Sequence, residues 1–248
     1  MAVRKLITIL TACIAIIIMP LAASASYGFK QGDYVELNGY RFIVLDPETN
    51  YLFADFYLEN RAFESGGTNI YNPTKSTNVA YYLNNTFLNN FGQFTEYIKN
   101  HNWEIGGDGK ESSVVVSTKI GMLSFSEWNK YKNKPLTFPV AMFWTRTPAA
   151  ANTVNSWRVR VEGNLEATRA YDKHAIRPSL YLNEGLYKKE GLGVRASPYV
   201  MTTEKIEMLS DIKDLSLVKT TPTEITLVWN NPTESNFSHL NIYKNGEY

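Results

Sequence analysis

The chain has 248 residues, with 25 Lys and Arg against 24 Asp and Glu, a formal net charge of +1. That balance excludes a case for nucleic-acid or anionic-membrane binding built on bulk electrostatics. Cys13 is the one cysteine, which excludes a fold stapled by disulfides, and 16 Tyr, 12 Phe and 5 Trp point to aromatic burial as the source of core stability.

Arg4 and Lys5 precede an apolar run from Leu6 to Met19, and small residues follow at Ala23 and Ala25. Basic, apolar, then Ala-x-Ala is the order of a secretory signal peptide, with cleavage expected after Ala25. A lipobox-like "LTAC" at 10–13 offers a second reading, a lipidated Cys13, although the apolar residues that follow it disfavour that. Cleavage at Ala25 leaves no cysteine, no membrane span and 23 basic against 24 acidic residues, so no thiol chemistry and no excess positive charge.

"DYVEL" and "YRFIVL" flank Asn38-Gly39, the dipeptide of a tight hairpin, and "NYLFADF" follows as a third strand. The period then changes. Val79, Leu83, Phe87 and Phe91 recur every four residues, which predicts one amphipathic helix started by Ser76, Thr77 or Asn78 and ended by Gly92. A further turn of helix is expected at 95–100, and "GGDGKESS" at 106–113 is a loop before the strand "VVVSTKIGML". Ser124-x-x-Glu127 has capping-box spacing and starts a second helix, "FSEWNKYK". Strand patterns return in "AMFWTRT", "SWRVRVE", "EATRAY" and "IRPSLYL", with Gly163-Asn164 as a turn.

Strands, helices, strands in that order predict an α+β domain over 27–185 with a mostly antiparallel sheet and two helices. Residues 186–208 are expected to be a connector, with one strand as an option. Residues 209–248 contain three alternating stretches, with Trp229 in the second, and resemble the opening of a fibronectin type III sandwich; about seven strands complete such a fold, so only its N-terminal part is expected here.

The ordered set "GDYVELNGYRFIVLD", "VAYYLNNTFLNNF", "KIGMLSFSEW", "FWTRTP" and "IRPSLYL" resembles an uncharacterised domain family of secreted and phage-encoded bacterial proteins. Thr145 and Thr147 stand where that family usually has Leu and Ser. The resemblance implies a C-type-lectin-like fold related to formylglycine-generating enzymes. It carries architecture further than function, and the cysteines of that oxidase chemistry are absent after Ala25.

Two readings stand for Arg146 and Arg177: guanidinium forks for a carboxylate or sulfate ligand, or internal ties to carbonyls and to an acid such as Asp172. Phe143, Trp144 and Trp157 suit either a sugar-stacking platform or the core, and strict alternation lets only one face of 143–146 be deeply buried. Asn152 and Asn155, in the loop "AAANTVNS", complete the candidate ligand residues Trp144, Arg146, Asn152, Asn155, Trp157 and Arg177. His101, His174 and His239 lack partners at metal-ligand spacing, and no cofactor is expected, although a calcium site assembled from distant loops stays open. No nucleophile elbow, zinc-protease or phosphate-loop motif occurs. The expectation is a secreted, non-enzymatic module for an extracellular or cell-surface ligand such as a glycan. The alternatives are the non-catalytic part of a secreted polysaccharide- or wall-degrading hydrolase, or a structural surface component.

Overall fold

The computed structural model describes residues 27–106, 114–137, 139–150, 154–205, 213–220 and 225–231. β1 (Tyr34–Leu37) and β2 (Tyr40–Asp46) form the expected hairpin, with Leu37 opposite Tyr40. Asn38 and Gly39 between them have φ of 49° and 82°, the two positive values that a type I′ turn requires. β3 (Tyr51–Ala54) returns antiparallel to β2, and β4 (Leu58–Ala62) departs to another sheet.

The predicted helix is divided. α1 (Val79–Asn85) starts at Asn78, whose side chain accepts a bond from the Ala80 N–H at 3.0 Å. It gives way to a 3-10 segment, Phe87–Tyr97, interrupted by Gly92 at φ 52°. The apolar spacing survives the change because Phe87, Phe91 and Phe94 all still point inward. β5 (His101–Glu104) pairs with β6 (Val115–Thr118), and the run predicted as one strand breaks at Lys119 before β7 (Ile120–Met122). α2 (Phe125–Tyr131) carries the full capping box: Ser124 Oγ accepts from the Glu127 N–H, and Glu127 accepts from the Ser124 N–H at 2.7 Å.

The remaining strands are β8 (Phe143–Pro148), β9 (Asn155–Val159), β10 (Leu165–Arg169), β11 (Lys173–Ile176), β12 (Pro178–Tyr181), β13 (Tyr187–Glu190), β14 (Tyr199–Thr202), β15 (Lys213–Thr220) and β16 (Ile225–Asn230). A seven-stranded sheet runs β13-β14-β1-β2-β3-β12-β7, and a five-stranded sheet runs β10-β9-β8-β11-β4. The fold is α+β and mostly antiparallel; β1/β14 and β8/β11 are the parallel pairs. "IRPSLYL" is two strands, because Arg177 is where the chain crosses from the five-stranded to the seven-stranded sheet.

One aromatic core spans both sheets. Phe53 of β3 meets Phe143 of β8 at 6.0 Å, and Trp128 of α2 meets the same Phe143 edge-on at 5.5 Å. Phe91 from the 3-10 segment packs on Phe42 at 6.1 Å. Burying each such ring contributes about 1.5–3 kcal/mol.

Two expectations are corrected here. All six residues of β8 are buried, not one alternate set: the register against β9 shifts between Trp144 and Pro148, so strict alternation fails, and both faces are covered. Trp144 packs on Phe63 at 5.8 Å while Phe143 packs on Phe53. Residues 186–208, expected as a connector, supply two strands of the seven-stranded sheet; Leu186 and Met201 join the core at 4% and 3% exposure. Arg195 in the β13–β14 loop also donates to Asp55, at 3.0 Å, beside Arg41 at 2.8 Å.

β15 and β16 form a separate two-stranded ladder with Leu215, Leu217, Val218, Leu227 and Val228 exposed. The third strand expected over "LNIYKNG" lies outside the described residues, as does the segment expected to be a signal peptide. Among the described residues no helix is long and apolar enough to cross a membrane.

Candidate functional site

Arg146 extends from β8 beneath the β3–β12–β7 side of the other sheet. Nη1 donates to Glu127 Oε2 at 2.5 Å and to the Met122 carbonyl at 2.6 Å; Nη2 donates to Glu127 Oε1 at 3.1 Å, and Nε to the Glu104 carbonyl at 3.0 Å. Its guanidinium also lies 5.1 Å from the Trp103 ring centroid. Glu127 accepts from Tyr51 as well, at 3.1 Å. Burial pushes the Glu127 carboxyl up, but the Arg146 charge and the hydrogen bonds outweigh it and hold the group below the usual carboxylate range. Burial likewise favours a neutral Arg146, and Glu127 overrides it and raises its pKa. The acid that ties Arg146 is therefore Glu127, from the capping box of α2. Asp172 instead accepts from Thr168 at 2.8 Å.

Arg177 is 5% exposed and takes no ion pair among the described residues. Nε and Nη2 both donate to the Ala54 carbonyl, at 3.1 and 2.6 Å, and the guanidinium lies 4.2 Å over Phe53, 4.9 Å over Tyr57 and 5.2 Å over Phe143. Burial lowers its pKa to about 10. The two arginines occupy separate internal positions and do not converge on one ligand.

The other candidate residues divide in the same way. Trp144 is fully enclosed, with Nε1 donating to the Arg61 carbonyl at 2.9 Å. Trp157 is half-buried against Phe125 at 4.9 Å, and its enclosed Nε1 has no hydrogen-bond partner. Asn155 begins β9, where its carbonyl accepts from Asn69 at 2.9 Å. Asn152 lies outside the described residues. His174 Nε2 accepts from Arg158 Nη1 at 2.6 Å; burial first, and the Arg158 charge second, lower its pKa to about 4. His101 stacks on Tyr181 at 4.0 Å, and Tyr181 on Tyr51 at 4.3 Å. Among the described residues no cluster of three His, Cys, Asp or Glu is placed to hold a metal.

Concave surface lies elsewhere, at positions without a sequence motif. A cavity of about 490 Å³ is lined by Glu48, Thr49, Asn50, Lys99, Leu182, Asn183 and Glu184. Backbone bonds fasten its walls together: Leu182 N to Asn50 O at 3.2 Å, Lys99 N to Tyr181 O at 2.8 Å, and Asn183 N to Tyr97 O at 2.8 Å. The Tyr27 hydroxyl braces the same segment by donating to the Asn183 carbonyl. Asn50, at φ 55°, is 3% exposed, and its Oδ1 is buried without a hydrogen-bond partner. A buried carbonyl oxygen left unpaired costs about 1–3 kcal/mol. Carboxylates, amides, a hydroxyl and an ammonium around one cavity give the mixed donor and acceptor set that orients a polyhydroxylated ligand.

A second groove, of about 420 Å³, is lined by β4 and the 65–77 segment. Comparison of the chain with protein-family models, with curated proteins and with solved structures returns no match.

Proposed function

We propose that this chain is a secreted binding module that holds a glycan of its extracellular surroundings in the Asn50 cavity, on a C-type-lectin-like scaffold followed by a fibronectin type III-like segment. The observation that carries the reading is the cavity itself, whose walls mix Asn50, Lys99, Glu48, Glu184, Thr49 and Asn183, with an Asn50 side chain whose Oδ1 is not already engaged within the fold. Sugar hydroxyls donate and accept at once, so they match both kinds of wall. The signal-peptide pattern at 1–25 and the ordered family-like segments support the location and the scaffold. In this reading the "FWTRTP" strand contributes rigidity and no ligand contact.

The test is a glycan array probed with the wild type, Asn50→Gly and Lys99→Gln. Glycine keeps the left-handed backbone at position 50 at no steric cost. The expected result is a defined set of bound glycans, lost or weakened in both variants while their thermal midpoints stay near wild type. No glycan bound by the wild type, or the same glycans bound equally by both variants, overturns the proposal.

A further inference from the structure

We propose that the groove along β4 is an oxyanion subsite, separate from the Asn50 cavity, that takes a phosphate or sulfate group of an acidic ligand. β4 ends the five-stranded sheet, and the groove combines its residues 59–62 with Lys173 of the neighbouring β11 and with residues 65, 76 and 77. Its lining sets two cations, Arg61 and Lys173, beside the Asn60 amide and the hydroxyls of Ser65 and Ser76, while the Thr77 hydroxyl proton is committed to Glu64. An oxyanion offers several acceptor oxygens to such a collection of donors, and a planar guanidinium engages two of them at once.

Arg61 is held in place before any ligand arrives. Its guanidinium lies 4.2 Å over the Tyr82 ring, and Nη1 donates to Glu59 at 2.8 Å, which leaves its remaining N–H groups uncommitted among the described residues. Lys173 makes no ion pair among the described residues. Glu59 is the one acid on the lining, and Arg61 already engages it. The other nearby carboxylate, Glu64, is fully enclosed and answered by donors: Thr77 Oγ1 at 2.5 Å, the Gly66 N–H at 2.8 Å, Asn78 Nδ2 at 3.0 Å and Lys75 Nζ at 3.4 Å. Its charge is spent inside the fold and does not oppose an anion in the groove. Local positive charge in a chain whose basic and acidic residues nearly cancel marks this groove off from the acceptor-rich Asn50 cavity.

The experiment titrates inorganic phosphate, and in a second arm inorganic sulfate, into the whole chain at constant ionic strength, followed by amide chemical shifts. The expected result is saturable shifts at residues 59–62, 65, 76–77 and 173, with affinity reduced about fivefold by Arg61→Gln and by Lys173→Gln, the scale of one exposed charge contact. The arm that binds more tightly identifies the oxyanion. Asn50→Gly is expected to leave phosphate binding unchanged, so this proposal survives if the glycan reading fails. Shifts that stay linear in concentration, binding indifferent to both groove variants, or binding lost in Asn50→Gly would overturn it.

Discussion

Replacing Glu127 by Gln removes one charge and little else. Gln is a natural occupant of the third helical position in a capping box, so the Ser124 N–H keeps an acceptor and α2 keeps its start. Arg146, 4% exposed, would then hold its positive charge against two backbone carbonyls and no anion. Breaking a buried pair by removing one partner costs about 3–5 kcal/mol. Glu127 has 22% of its side chain exposed, so we expect about 3 kcal/mol, the lower end of that range. For a domain of this size that lowers the thermal midpoint by about 6–12 °C, measurable by calorimetry and by the urea midpoint. Arg146→Met also destabilises, because it strands the carboxylate, and the double variant should cost less than the sum of the two singles by at least about 1 kcal/mol. A Glu127→Gln protein within about 0.5 kcal/mol of wild type, or strictly additive singles, would refute the reading of Arg146 as a charge-paired internal tie.

Ending the chain at residue 185 should abolish cooperative unfolding while ending it at 205 should not, because β14 pairs with β1 and Met201 is buried; near-ultraviolet circular dichroism distinguishes the two. Gly121→Ala places a methyl group 2.5 Å from the Trp103 ring, an overlap expected to cost about 1–3 kcal/mol and to show in the urea midpoint. Acid should destabilise the fold in two overlapping steps. The folded pKa of His174, about 4, lies below the ordinary histidine value of 6.5, so the unfolded chain binds the extra proton and stability falls as pH drops from about 6.5 to 4; discounted for the ring's partial exposure, this is about 1 kcal/mol. The lowered pKa values of Glu127 and Glu64 add a further loss as pH falls below the usual carboxylate range. His174→Gln should reduce the upper part of that profile, to which His101, also lowered by burial, contributes, and leave the lower part.

Features set by neighbouring residues were readable before the structure. Asn38-Gly39 makes its hairpin because only such residues tolerate two successive positive φ values, and Ser124-x-x-Glu127 caps α2 because both partners lie within one turn. What depended on distant chain was not readable. The four-residue spacing from Val79 to Phe91 reports an inward face but not the switch to 3-10 geometry after Asn85. The full burial of "FWTRTP" follows from a register shift and from Phe63, some 80 residues away. Residues 187–202 carry two four-residue strands, too short to announce themselves, that become recognisable only when β14 pairs with β1 and β13 with β14. The partner of Arg146 was visible as a helix cap, yet nothing local announces that Glu127 serves both roles. The Asn50 cavity draws on three segments, 48–50, 99 and 182–184, whose residues share no spacing, so nothing local marks it.

Chemical-shift mapping of the whole chain with the strongest-binding array glycan tests the central claim most directly. The account predicts saturable shifts concentrated at residues 48–50, 99 and 182–184, with 143–148 unmoved. Shifts centred instead on 143–148 and Trp157, or no glycan that binds at all, would contradict it.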